Sequence, residues 1–218
     1  MAITPSLSLT SRASEQRTLA GLFLGLSLEV EPFAALENVP REAAAVQDVL
    51  GGPAILDEGF TVATLSEQLR STDYPILHLA THAKFGVNTE STFLLAYDAN
   101  LTLEQLDQLL RQRPSDQPLE LLILSACQTA AGDNRSTLGM AGAAVRAGVR
   151  SVLATLWYVN DESTVYLMDT FYRQLQDPTL SKAEALQQAQ IELIRNPDFV
   201  EFSHPAVWAP FTLIGSWS

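Results

Sequence analysis

Cys127 is the only cysteine in the chain, and it stands at the end of an apolar run, LLILSAC, at residues 121–127. A second apolar run upstream, ILHLATH at residues 76–82, ends in His82. A cysteine thiolate attacks a carbonyl carbon efficiently when a histidine within hydrogen-bond reach takes the thiol proton. The pairing therefore predicts acyl-transfer chemistry, with Cys127 as the nucleophile and His82 as its base.

Both runs have the composition of buried parallel strands, which lose the alternation of apolar and polar residues because helices cover both faces. Open parallel sheets place their chemistry just beyond the carboxyl ends of the strands. His82 and Cys127 both fall at such ends, so we expect their strands to be neighbours in one sheet. The alternative for Cys127 is an inert buried thiol, because free cysteine is among the most buried residue types.

Two further histidines compete with His82 for the role of base. His78 lies on the same strand, roughly 13 Å from His82, so the two cannot both reach Cys127. We interpret His78 as a buried histidine satisfied by hydrogen bonds. His204 precedes a proline near the end of the chain and is interpreted as structural or surface-exposed. Histidines spaced in this way along a strand do not converge on zinc, so we predict no metal and no cofactor.

Four sequence blocks, in this order, resemble the CHAT domain, a branch of the caspase-like cysteine peptidases. They are HLATH at residues 78–82, LSACQT at 124–129, AGVRSVLATLW at 147–157 and HPAVWAPF at 204–211. The resemblance implies an α/β fold, a caspase-like three-layer α/β/α sandwich with a mostly parallel central sheet. It also implies a single CHAT domain over residues 1–218. Family members often carry helical repeats upstream, and we expect this chain to begin at or just inside the domain boundary without them.

The resemblance further implies an endopeptidase that cleaves peptide bonds through His82, Cys127 and a thioester intermediate. In caspase-like enzymes two backbone amides hold the oxyanion, and the matching residues here are Ala83 and Cys127. Ala83 and Ala130 stand where the family has glycine, and Ser125 stands where caspases have glutamine, so caspase specificity is not implied. A backbone donor does not need glycine, although an added methyl group restricts the backbone angles. No acidic third member is evident near His82, so we predict a dyad oriented by the backbone.

The segment at residues 158–162 follows the next predicted strand and should line the pocket for the residue before the scissile bond. Acidic side chains there favour a basic residue, and many relatives in the wider caspase-like group cleave after arginine or lysine. Asp161 is the best candidate for this substrate contact, and the small, neutral Ser125 would leave room in the pocket. The alternative is that Asn160 or Asp161 only caps the helix that follows.

Strands and helices alternate along the rest of the chain, as a doubly covered sheet requires. Predicted strands occupy residues 5–10, 19–28, 76–82, 93–97, 121–127 and 151–157, and predicted helices 39–50, 61–70, 102–110, 138–147, 161–175 and 181–195. Thr102 and Ser181 begin capping boxes. The aromatic residues Trp157, Trp208 and Phe211 are assigned to packing, the last two covering the sheet edge near the chain end.

Composition limits the partners and the location. The net charge of −12 repels phosphates, so we predict no nucleic-acid partner. The apolar stretch at residues 19–28 is too short to span a bilayer and acidic residues follow it, so we predict no membrane contact and no signal peptide. A single cysteine cannot form an internal disulfide, which favours a reducing, cytoplasmic location.

Three classes of function stay open. The first is a cysteine peptidase acting on a protein or peptide substrate, restrained by a regulatory protein partner or by missing upstream modules. The second is a catalytically silent caspase-like interaction or regulatory domain. The third is a different Cys–His acyl-transfer enzyme, such as an amidohydrolase, because the dyad alone does not name the acyl group. The presence of both His82 and Cys127 favours the first.

Overall fold

The computed structural model describes residues 2–3, 20–84, 92–113, 118–128, 134–157, 159–198 and 200–218, and for residues 2–3, 126–128 and 134–138 it describes the backbone alone. The strand predicted at residues 5–10 lies outside the described residues, as does Ala130. Within the described ranges, none of the helices is long and apolar enough to cross a membrane.

The described strands form one nine-stranded sheet at the centre of the fold. Its main path runs β1-β9-β8-β7-β4-β2-β3, and β5 and β6 extend it beside the carboxyl end of β4. The strands are β1 (Ala2–Ile3), β2 (Gly21–Gly25), β3 (Ala54–Leu56), β4 (Ile76–Lys84), β5 (Phe93–Leu95), β6 (Asn100–Thr102), β7 (Leu121–Gln128), β8 (Ser151–Thr155) and β9 (Phe211–Gly215). The central strands β3, β2, β4, β7 and β8 run parallel, and β9, β5 and β6 make the antiparallel pairs. The predicted mostly parallel sheet is confirmed.

Helices cover both faces of this sheet, as the continuous apolar strands require. They are α1 (Val39–Leu50), α2 (Val62–Ser71), α3 (Leu103–Arg111), α4 (Asn134–Arg146), α5 (Asp161–Leu175), α6 (Lys182–Arg195) and the short α7 (Pro205–Trp208). Residues of α2, α3 and α4 pack with one set of strand residues, including Leu77 and Leu122. Residues of α1, α5 and α6 pack with the alternate set, including Ile76 and Leu121. The predicted three-layer α/β/α sandwich is confirmed.

Local sequence signals set most of the helix ends. Both predicted capping boxes form, at Thr102 with Gln105 and at Ser181 with Glu184. Helix α4 is followed by Gly148 at φ +102°, a backbone angle that residues with a Cβ rarely adopt. This helix begins at Asn134, earlier than the predicted residue 138.

The sequence prediction was wrong at the chain end. Phe211 opens β9, which lies between β8 and β1, so this side chain is a fully buried part of the sheet and does not cover its edge. Trp208 is only partly buried, and its indole N–H donates to the Ser203 carbonyl at 3.1 Å. Trp157 lies beyond the end of β8 and donates in the same way to the Ala206 carbonyl at 2.9 Å.

Candidate active site

The register between β4 and β7 brings His82 and Cys127 together. The two strands pair in parallel from Ile76 beside Leu121 to Ala83 beside Gln128, and this register sets His82 directly beside Cys127. Neighbouring strands lie about 4.8 Å apart, so two residues far apart in sequence become neighbours at one edge of the sheet. The geometry agrees with the predicted arrangement of nucleophile and base at adjoining strand ends.

The His82 ring is oriented by a backbone carbonyl. Its Nε2 lies 2.7 Å from the Ala34 oxygen, and the Phe33 ring stacks on it with centroids 5.1 Å apart. A carbonyl can only accept, so Nε2 must carry a hydrogen and, in the neutral ring, Nδ1 must hold the lone pair. Nδ1 is buried and has no hydrogen-bond partner among the described groups, which do not include the Cys127 side chain. This tautomer leaves Nδ1 as the proton acceptor.

The surroundings also favour the neutral ring. Burial lowers the pKa of His82, while the Ala34 carbonyl and the negative charge of Asp161 act in the opposite direction. Only 3% of His82 is exposed. A histidine that stays unprotonated at neutral pH can serve as a general base, because its lone pair is available.

The loop that carries Phe33 and Ala34 joins β2 to α1 and is held by specific hydrogen bonds. The Asp57 carboxylate accepts the Ser27 amide at 2.7 Å, the Ser27 hydroxyl at 2.8 Å and the Leu28 amide at 3.3 Å. The Leu36 amide closes the loop by donating to the Ser27 carbonyl at 2.9 Å. Sequence reasoning missed this loop, because a carbonyl that orients a histidine can come from any residue type.

Asp161 is the first residue of α5, and it is not the helix cap. The cap is Asn160, whose side-chain oxygen accepts the Glu162 and Ser163 amides at 2.9 and 3.1 Å. The Asp161 carboxylate instead accepts the Asn38 amide at 2.8 Å, at the start of α1. Burial raises the pKa of Asp161, the Asn38 bond lowers it, and the charges of Glu42 and His82 act in opposite directions. Asp161 therefore affects His82 through its charge, and the hydrogen bond that orients the ring comes from Ala34.

A buried polar cluster lies in the same layer as these residues. Tyr172 and His78 are joined by a 2.9 Å hydrogen bond to Nδ1, and the other ring nitrogen of His78 lies 3.0 Å from Glu42. That second contact lacks hydrogen-bond alignment. Glu42 and His78 are each 1% exposed. The interpretation of His78 as a buried, hydrogen-bonded histidine agrees with this geometry.

Ser125 belongs to the same cluster. Its hydroxyl donates to Glu42 at 3.4 Å from a half-buried position on β7. The hydroxyl is thus directed at the α1 layer, and the predicted role of Ser125 in a substrate pocket stays a prediction.

Ala83, predicted to hold the oxyanion, lies inside the sheet. Leu94 of β5 is its neighbour on one side and Gln128 of β7 on the other, and Ala83 is fully buried. Amides of a strand lie in the plane of the sheet, so the Ala83 amide points at a neighbouring strand. The oxyanion roles of Ala83 and Cys127 stay predictions.

His204 lies away from this cluster of polar side chains. It is exposed at the start of α7, where its Nδ1 accepts the Ala206 amide at 3.2 Å. Across the side chains that the structure describes, no three His, Cys, Asp or Glu residues are grouped so as to hold a metal ion.

Comparison with known proteins places the fold. The sequence profile of the CHAT domain matches residues 1–216. Among solved structures, a complex of the pro- and mature domains of RgpB from Porphyromonas gingivalis is similar at 12% identity and a TM-score of 0.56, over 91% of this chain and 47% of that one. The Arg-specific cysteine proteinase gingipain R (RGPB) is similar at 11% identity and a TM-score of 0.57, over 91% and 46%.

These likenesses establish the caspase-like fold alone. Identities this low do not transfer the roles of individual residues. The chain spans about half the length of the two proteinase structures. No curated protein sequence matches the chain.

Proposed function

The chain belongs to the CHAT domain family, and from that premise we propose that it is a cysteine endopeptidase in which His82 and Cys127 form the catalytic dyad. The observation that carries the proposal is the register of β4 and β7, which sets the only cysteine beside a histidine whose Nε2 is engaged by a carbonyl. A scaffold without catalysis has no need of that combination.

The proposed mechanism follows from the tautomer. Nδ1 of His82 takes the Cys127 thiol proton, and the thiolate attacks the peptide carbonyl carbon to form a tetrahedral oxyanion. The oxyanion collapses, the C–N bond breaks and the imidazolium gives its proton to the departing amine, which leaves a thioester. His82 then takes a proton from water, whose oxygen attacks the thioester carbonyl carbon. The C–S bond breaks, the acid product is released, and the imidazolium returns its proton to the Cys127 sulfur. The Ala34 carbonyl holds the ring in place during both proton transfers.

We further propose a preference for arginine or lysine before the scissile bond, read by Asp161. The half-buried carboxylate of Asp161 accepts the Asn38 amide, at the end of the same loop whose Ala34 carbonyl contacts His82, and its charge raises the pKa of His82. A positively charged side chain would offset the burial of this carboxylate, which otherwise disfavours its charged form. One solved structure of the same fold belongs to an Arg-specific cysteine proteinase, in line with a basic preference.

A catalytically silent interaction domain is the second candidate, and one observation favours it. The Phe33 ring stacks on His82, which is only 3% exposed, so the base is covered in this conformation. For a peptidase, the same cover requires the β2–α1 loop to shift when substrate or a regulatory protein partner binds. In either form, the proposed setting is the cytoplasm.

An activity-based probe separates the two candidates. A peptidyl acyloxymethyl ketone with arginine at the reacting end should label Cys127, as mapped by mass spectrometry, because the dyad makes this thiol a nucleophile. Labelling should fall at least about 100-fold in His82→Ala, the scale of a general base's contribution. His204→Ala is the matched control, because it removes an exposed histidine by the same substitution. Equal labelling of the His82→Ala protein and the wild type would refute the dyad.

A further inference from the structure

A cleft of about 370 Å³ opens beside the proposed active site. Its walls come from the β2–α1 loop, the end of β4 and the β5–β6 hairpin, and they include Val30, Phe33, Lys84, Phe93 and Tyr97. Most of this lining is apolar, and its charged residues are Glu31, Asp98 and Lys84, which leave one net negative charge. Tyr97 is 42% exposed, a large apolar side chain facing solvent.

The cleft lies on the opposite side of His82 from Cys127. In the sheet, β7 with Cys127 is followed by β4 with His82, and β5 continues on the far side of β4 through the pair Lys84–Phe93. The Phe33 ring connects the two regions. It stacks on His82 and meets the Phe93 ring edge-on at 6.4 Å between centroids. Cysteine, histidine and cleft therefore follow one another along the same edge.

This order fixes which part of a peptide can reach the cleft. The nucleophile attacks the carbonyl carbon, and the histidine must face the nitrogen that leaves, so the chain after the scissile bond runs toward the histidine side. Ring-to-ring steps of 5.1 Å and 6.4 Å lead from the imidazole to Phe93. An extended peptide advances about 3.3 Å per residue, so it passes the near wall at Phe33 after about one and a half residues and the far wall at Phe93 after at most about three and a half. The second and third residues after the scissile bond therefore lie between these walls.

We propose that this cleft is a substrate subsite that binds an apolar side chain at the second or third position after the scissile bond. The inference rests on the proposed peptidase function and names its substrate class, a peptide with a residue such as leucine or phenylalanine there. Binding such a side chain against apolar walls is favourable because it removes apolar surface from water. The net negative charge of the lining, with Glu31 and Asp98 against Lys84, disfavours aspartate or glutamate at the same position.

The test uses peptides with arginine before the scissile bond and leucine, glycine or aspartate at each of the next three positions. Cleavage of each peptide is normalised to hydrolysis of a short arginyl substrate whose leaving group is a fluorescent amine, which cannot reach the cleft. We expect kcat/KM to be about tenfold higher for leucine than for glycine at the second or third position, the scale of a small apolar contact in a pocket. Aspartate should be the poorest of the three.

Tyr97→Ala should reduce the leucine preference at least threefold, and Ala99→Phe, which crowds the same wall, provides a second variant. Val200→Ala is the matched control, because it trims a side chain that is 70% exposed elsewhere and should keep the full preference. If the short substrate is cleaved but the peptides with leucine, glycine and aspartate are cleaved at equal rates at every position, the subsite proposal is overturned and the peptidase proposal stands. A wild-type protein that cleaves neither substrate would overturn both.

Discussion

Asp161→Asn removes one negative charge beside His82 and keeps both the shape of the side chain and an oxygen that can accept the Asn38 amide proton. Two opposing changes in stability follow. A hydrogen bond to a charged acceptor is stronger than one to a neutral acceptor by about 1 kcal/mol. Burial, however, disfavours the charged form of Asp161, and the neutral asparagine side chain of the variant does not carry that cost. We therefore expect the free energy of unfolding to change by less than about 1 kcal/mol.

The effect on function should be larger. If Asp161 reads arginine, loss of the charge should lower the ratio of kcat/KM for arginine over its uncharged analogue citrulline by about 10- to 100-fold, equivalent to about 1.5–3 kcal/mol. Because the Asp161 charge raises the pKa of His82, its removal should also move the acid limb of the pH profile of kcat/KM to lower pH. Peptide cleavage followed from pH 4.5 to 8 measures both quantities.

The neighbouring residue provides the control. Asn160→Ala removes the cap of α5 and should cost about 1 kcal/mol of stability, or about 2–4 °C in melting temperature, with specificity unchanged. An Asp161→Asn protein that keeps both its arginine preference and its pH profile would refute the reasoning about Asp161.

Further perturbations test the dyad and the packing around it. Cys127→Ala should abolish cleavage and change the melting temperature little, and a loss of several degrees would mark a packed, inert thiol. The pKa of His82 in the folded protein lies below its unfolded value of about 6.5. The contribution of the neutral ring to stability is therefore present above about pH 6.5 and is lost as the pH falls through the lowered pKa. On acidification, the wild type should lose stability relative to His82→Gln. Tyr172→Phe leaves a buried nitrogen of His78 unpaired and should cost about 1–3 kcal/mol in urea unfolding, whereas no change would show that this bond contributes nothing. Trp208→Ala should lower the free energy of unfolding by less than the ~3–5 kcal/mol of a core tryptophan, because the ring is only partly buried. A loss within that range would show that Trp208 packs as a core residue.

Features set by neighbouring residues could be predicted from the sequence. Helices α1 and α5 begin and end where the pattern predicts, and each capping box joins residues three apart. The neighbouring placement of His82 and Cys127 could also be predicted, because two apolar strands whose carboxyl ends meet at one edge of the sheet have few other registers.

Features that depend on backbone atoms or distant contacts could not be predicted. No residue type marks the Ala34 carbonyl as the partner of His82. The Asp161–Asn38 contact joins residues 123 positions apart, and the local sequence favours helix capping as the role of Asn160 or Asp161. Strand β9 was missed because Pro210 and Trp208 just before it suggested an irregular surface segment, and the strand takes its place only through pairing with β8.

A neutral carbonyl and two carboxylates together position His82, the proposed base. The β2–α1 loop is anchored at its start by Asp57, which accepts the Ser27 amide at 2.7 Å, and just beyond its end by Asp161, which accepts the Asn38 amide at 2.8 Å. Such charge-assisted bonds are stronger than bonds between neutral groups, so they suit the anchoring role. Between the anchors, the Ala34 carbonyl orients the imidazole without a full charge. A carboxylate bonded directly to the ring would raise the pKa of His82 further. Because the acidic residues bond to the loop and not to the ring, they fix the position of the proposed base, His82, while burial lowers its pKa.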